Sequence, residues 1–197
     1  MGDILDLSHT ATITDPARIL NWKTILVPQD GEDATLADAT GVIDYTTGTT
    51  ALVNLAASED LSVDGGTLTV SGIGTFDGTS TLTLNGGSFG GTGSITVADQ
   101  FQFISGTLSG SGGSMVVNRT TTIAAGAKTI DKDLTLTGTT TATNALVAGI
   151  GVLTNQGSWT LTDSSIAGSN TLANQGNLTA EGSNVLAGPT PTNLGRR

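Results

Sequence analysis

The chain has no cysteine and a single histidine, His9, and charged residues make up only 12% of its 197 positions. Without cysteine there are no disulfides, no thiol nucleophile and no thiolate zinc site. With one histidine, a nucleophilic triad would have to be built at His9, where an exposed or packing imidazole is the simpler reading, and no catalytic residue is assigned. Charge of one sign is missing over a long stretch. No Lys or Arg lies between Thr24 and Asn118, while Asp30, Glu32, Asp33, Asp38, Asp44, Glu59, Asp60, Asp64, Asp77 and Asp99 all do. With a net charge of −10, such a surface repels phosphate backbones and anionic lipid, so nucleic acid and membrane are not expected partners. The longest apolar run, residues 145–153, is too short to span a bilayer, and the opening Met-Gly-Asp-Ile-Leu-Asp shows no signal-peptide pattern.

Glycine, at 28 residues, and threonine take the place of the missing charge. They are placed periodically. One apolar column runs Phe76, Ile95, Met115, Leu134, Leu153, Leu172, and a second runs Val70, Phe89, Leu108, Ala127, Leu146. Both advance in near-constant steps of about 20 residues, the size of one coil of a repeat protein. A third starts Val63, Leu82, Phe101, and its neighbour Leu84, Phe103, Ile123, Ala142, Leu161, Ala180 carries it onward. Three columns per period, separated by corners such as Gly65-Gly66, Gly86-Gly87 and Gly112-Gly113, predict an all-β parallel β-solenoid: a three-faced, right-handed β-helix. The column Val97, Val117, Leu136, Asn155, Asn174 turns from apolar to Asn, which predicts amides stacked along the axis. Residues 1–52 do not fit the period and are expected to form an N-terminal cap; 53–188 are expected to be the solenoid, with about seven coils; 189–197, with two prolines, read as a linker or disordered tail with a continuation or partner beyond it.

Several segments carry a resemblance. Asn21-Trp22, Val27-Pro28 and Asp30-Gly31-Glu32-Asp33-Ala34-Thr35-Leu36 precede coils of the type Gly66-Thr67-Leu68-Thr69-Val70-Ser71-Gly72 and Ser80-Thr81-Leu82-Thr83-Leu84-Asn85-Gly86. Thr120-Thr121-Thr122-Ile123-Ala124-Ala125-Gly126-Ala127 and Leu153-Thr154-Asn155-Gln156-Gly157 follow. Over most of its length the chain resembles the β-helical passenger segments of large secreted bacterial exoproteins of the haemagglutinin or adhesin kind. The resemblance implies a secreted or cell-surface location and an adhesive or structural role. Two features of that group, an Asn-Pro-Asn secretion signature and a C-terminal translocating barrel, do not occur in this sequence.

Candidate chemistry is sparse. Asp131 and Asp133 are two apart, a spacing a glycosidase could use on a strand, but Ile130, Leu134 and Leu136 take the inward parity, so Asp131-Lys132-Asp133 reads as a charged corner. Gly90-Gly91-Thr92-Gly93-Ser94-Ile95 begins like a calcium-binding nonapeptide but carries Ile95 at the aspartate position, and Asp30-Gly31-Glu32-Asp33 reads as a solvated acidic loop. Asn118-Arg119-Thr120 and Asn177-Leu178-Thr179 have the glycosylation pattern. Trp22 is expected to pack in the cap, and Trp159 has an ambiguous direction.

One surface array remains. Alternation turns Thr81/Thr83, Gln100/Gln102, Thr120/Thr122, Thr139/Thr141, Ser158/Thr160 and Asn177/Thr179 outward as stacked pairs. The threonines of this face, Thr81, Thr83, Thr120, Thr122, Thr139, Thr141, Thr160 and Thr179, are the expected binding residues. No metal and no cofactor is expected. The function read from the chain is a non-catalytic structural or adhesive β-helix whose partners are surface glycans or other copies of itself. The alternatives are a carbohydrate-active or carbohydrate-binding β-helix and an ice-binding threonine face.

Overall fold

A computed structural model describes residues 10–13, 30–37, 42–187 and 192–193. Its unit is a short strand such as Thr67–Val70, in which Leu68 and Val70 are buried while Thr67 and Thr69 stay partly exposed. Branched Thr and Val suit this pleated surface, and alternation sends every second side chain inward. Three such strands per coil make three walls, and each wall hydrogen-bonds in parallel to the same wall of the next coil.

The first wall is a 10-stranded parallel sheet. It runs Thr10–Ile13, Asp33–Leu36, Leu55–Ala57, Ile73–Phe76, Ser94–Val97, Ser114–Val117, Asp133–Leu136, Val152–Asn155, Thr171–Asn174 and Thr192–Asn193. The second wall runs Ile43–Tyr45, Leu61–Val63, the first parts of Thr81–Gly90 and Gln100–Ser109, Thr120–Ile123, Thr139–Thr143, Ser158–Thr162 and Asn177–Glu181. The third is Thr49–Leu52, Thr67–Val70, the second parts of those two long strands, Gly126–Ile130, Ala145–Ala148, Ser165–Ile166 and Val185–Leu186. Thr81–Gly90 and Gln100–Ser109 turn the corner without breaking, with register shifts near Ser105, and so join the second and third walls into one 14-stranded sheet. The second wall counts eight strands among the described residues, so the rod has about eight coils, roughly 38 Å at the ~4.8 Å spacing of neighbouring strands.

The core is a set of axial columns. On the second wall Tyr45, Val63, Leu84, Phe103, Ile123, Ala142, Leu161 and Ala180 stack in register. Across the interior the rings of Phe76 and Phe89 meet edge to face at 6.0 Å. Tyr45 is the one phenol in the core, and its hydroxyl donates to Thr50 Oγ1 and the Thr67 carbonyl.

Four expectations change. The solenoid does not begin at residue 53: Asp33–Leu36, Ile43–Tyr45 and Thr49–Leu52 pair in register with the coil after them, and Thr10–Ile13 pairs with Asp33–Leu36. From this first coil to the next the step is longer on the first wall, Ala34 to Leu55, than on the other two, Ile43 to Leu61 and Thr49 to Thr67, and that uneven spacing keeps it out of a single period. At the other end Thr192–Asn193 pairs with Thr171–Asn174, so the ladder enters the stretch expected to be a linker. Within the core, Phe76 stacks on Val97 while Gly74 faces Ile95, and Val63 stacks on Leu84. On the third wall, Leu108 is followed by Ile130, Ala127 and Leu146 face solvent, and Lys128 and Val147 take the inward places. His9 and Trp22 lie outside the described residues.

Candidate functional site: the outer face of the second wall

The in-register stacking of the second wall lines up its outward side chains as well as its core. Thr81, Gln100, Thr120, Thr139, Ser158 and Asn177 form one file, and Thr83, Gln102, Thr122, Thr141, Thr160 and Thr179 form the next. Thr120, Thr122, Thr139, Thr141 and Thr179 are exposed, while Thr81, Thr83 and Thr160 are half-buried. All eight threonines expected from the sequence therefore come together on one wall. Thr143 and Thr162 add the start of a third file, paired through the same ladder, that the sequence reading did not include.

The face is uncharged across these two files. Among the described residues its threonine hydroxyls make no hydrogen bond to the rest of the chain, and the one internal contact is Gln102 Nε2 donating to Gln100 Oε1 at 3.4 Å. Some hydroxyls elsewhere are bonded: Ser71 Oγ donates to the Leu52 carbonyl, Thr137 Oγ1 to those of Val117 and Asn118, and Ser164 Oγ to those of Ala142 and Thr162. Thr75, Thr96, Thr135 and Thr154 on the first wall are unbonded among the described residues too, in a file interrupted by Val116. Charge begins at the margins. Arg119 pairs with Asp99 at 3.2 Å on one rim. Toward the N-terminal end the second file continues through Ser62 to Asp44, whose carboxyl is pushed above its ordinary range first by burial and then by Asp64.

The acidic residues considered for catalysis or metal binding act as corner fasteners. Asp131 accepts from the Ile150 amide and Asp133 from the Val152 amide, each one coil on, so the two carboxylates stitch successive coils together. Asp30 accepts from the Ala51 amide, and Asp33 accepts from both the backbone amide and the side chain of Asn54. Among the described residues no three His, Cys, Asp or Glu side chains group as metal ligands.

Several polar groups inside the rod are hydrogen-bonded, while Trp159 Nε1 and the side-chain oxygens of Asn155 and Asn170 have no partner among the described residues. Lys132, 0% exposed, donates to the carbonyls of Gly91 and Gly93 at 2.8 Å each. Lys128, 2% exposed, donates to those of Ala125 and Gly126. Burial holds both ammonium groups below their ordinary range; for Lys132 the neighbouring Asp133 pulls the other way. Asn170 Nδ2 donates to the carbonyls of Ile130 and Gly151, and Asn155 Nδ2 to Asn174 Oδ1 at 2.7 Å, the expected amide ladder. Trp159, 1% exposed, points inward in a file with Thr121 and Thr140. The inward lysines were missed, although a signal existed: residues 128, 130, 132, 134 and 136 share one parity, and Ile130, Leu134 and Leu136 had set it.

No protein-family profile, curated protein or solved structure matches the chain.

Proposed function

We propose that this chain is a non-catalytic, structural and adhesive β-helical segment of a secreted or cell-surface protein, the role implied by its resemblance to exoprotein passengers. The observation that carries the reading is the division of labour between inside and outside. Lys132 and corner carboxylates such as Asp131 are bonded to other coils, while the second wall holds two files of hydroxyls and amides whose threonine hydroxyls have no partner among the described residues. A parallel ladder with a continuous core resists bending, and a rigid rod holds a surface array in fixed register at little conformational cost on binding.

The test has two arms. Beads coated with the purified chain are expected to adhere to polysaccharide-coated glass under flow, and incubation with soluble polysaccharides is expected to release no new reducing ends. Turnover that disappears in Asp131→Asn or Asp133→Asn would replace the adhesive reading with a carbohydrate-active one.

A further inference from the structure

We propose that the outer face of the second wall binds neutral, extended β-1,4-linked polysaccharide, with the polymer lying along the axis of the rod. The inference rests on the adhesive reading above and names the face and the partner.

Three observations converge on it. The first is charge. In a chain of net charge −10, the two files from Thr81 to Asn177 and from Thr83 to Thr179 hold only hydroxyls and amides. An anionic polymer would approach this face past the carboxylates of the corners that flank it, Asp64, Asp99 and Asp163 among them, whereas a neutral polymer meets no such barrier. A cationic polymer would be drawn to those corners and away from the wall.

The second is unmet hydrogen-bonding capacity. The threonine hydroxyls donate and accept, none is bonded within the described chain, and Gln100, Gln102 and Asn177 add amides that donate and accept at once. Neighbouring hydroxyls on a sugar ring offer the same dual character. The third is spacing. Successive rungs are ~4.8 Å apart along the axis and the two files roughly 7 Å apart across it, over six rungs. A β-1,4-linked chain is a flat ribbon that advances by a similar distance per ring and turns its equatorial hydroxyls to its edges. Rung and ring thus stay near register over several repeats, and weak contacts add through avidity.

The amides also separate this partner from ice, which needs a flat, uniform lattice: Gln100 and Gln102 project between Thr81/Thr83 and Thr120/Thr122 and interrupt one. Every described aromatic side chain, Tyr45, Phe76, Phe89, Phe101, Phe103 and Trp159, is buried. Binding on this wall is therefore by hydrogen bonds without ring stacking, and low in affinity per repeat.

The experiment measures retention of the full chain on microcrystalline cellulose, with alginate gel as the anionic comparison, in low and high salt. The expected result is retention on cellulose that high salt does not abolish, and none on alginate. Thr122→Val with Thr141→Val keeps shape and strand preference but removes two hydroxyls, and should weaken retention at least threefold. Thr122→Glu should weaken it further, and Thr96→Val with Thr135→Val on the first wall should leave it unchanged. Thermal melts of each variant check the fold. No retention on cellulose, or equal loss from variants of either wall, would overturn the assignment, as would incorporation of the parent into growing ice without cellulose binding. If cellulose fails while coated beads still adhere under flow to other surfaces, the partner assigned here falls and the adhesive reading stands. If both fail, both fall.

Discussion

Lys132 Nζ lies 2.8 Å from the carbonyl oxygen of Gly93, a residue 39 positions earlier and two coils up the rod. Gly113, which precedes Ser114, the partner of Asp133, stands at the intervening level with no side chain. The ammonium thereby ties its own coil to the one two levels away at the corner between the third and first walls, and the Gly91 carbonyl takes its second hydrogen bond.

Replacing Lys132 with Met keeps the stem and removes the donor, leaving the buried Gly93 carbonyl and the half-buried Gly91 carbonyl without it. Lys132→Met should lower stability by about 1–3 kcal/mol, the cost of orphaned polar groups exceeding the relief of no longer burying a charge. Urea unfolding of parent and variant measures it, and a variant as stable as the parent would remove this role from Lys132.

The same pair makes stability depend on pH. Burial lowers the folded-state pKa of Lys132 below its ordinary value of 10.5. Between that lowered value and 10.5 the unfolded chain holds a proton that the folded chain has released, so the stability contributed here rises with pH across this window. A neutral amine keeps two N–H bonds, enough for Gly91 and Gly93. The stability difference between parent and Lys132→Met should therefore widen in favour of the parent as pH rises through the window. A flat or narrowing difference would contradict it.

Gly113 is required for close approach. A Cβ there would fall on the backbone carbonyl oxygens of Gly93 and Thr92. Gly113→Ala must push two coils apart and should cost about 1–3 kcal/mol, as overpacking does elsewhere. Calorimetry that finds Gly113→Ala within error of the parent would show that the coils have slack at this corner.

Phe103 tests the second-wall columns. It is fully buried, with Leu84 above and Ile123 below in register. Phe103→Asp places an unpaired carboxylate in the core and should abolish cooperative folding. A sharp thermal transition near that of the parent would mean that the side chain has a way out.

The second wall also shows why sequence reading worked where it did. Its later strands repeat at one constant step, from Thr120 to Thr139, Ser158 and Asn177. Inward and outward files both follow from alternation, so Ile123, Ala142 and Leu161 inside and the threonine pairs outside were legible together. The third wall repeats less evenly, with a longer step from Leu108 to its partner Ile130. Assuming the shorter step there moved Ala127 into the core and Lys128 out of it. Such a slip inverts every side chain on the strand.

What the sequence determined by itself is local and repetitive: strands from alternating Thr and Leu, corners from glycine, and stacking from a period that sets each apolar residue above another. Only the tertiary structure decided which phase each wall keeps, because a glycine corner absorbs an extra residue without changing the composition on either side. It also decided that lysines belong inside. Burying an ammonium is unfavourable unless acceptors converge on it, and the carbonyls that receive Lys132 come from Gly91 and Gly93, two coils away along the axis.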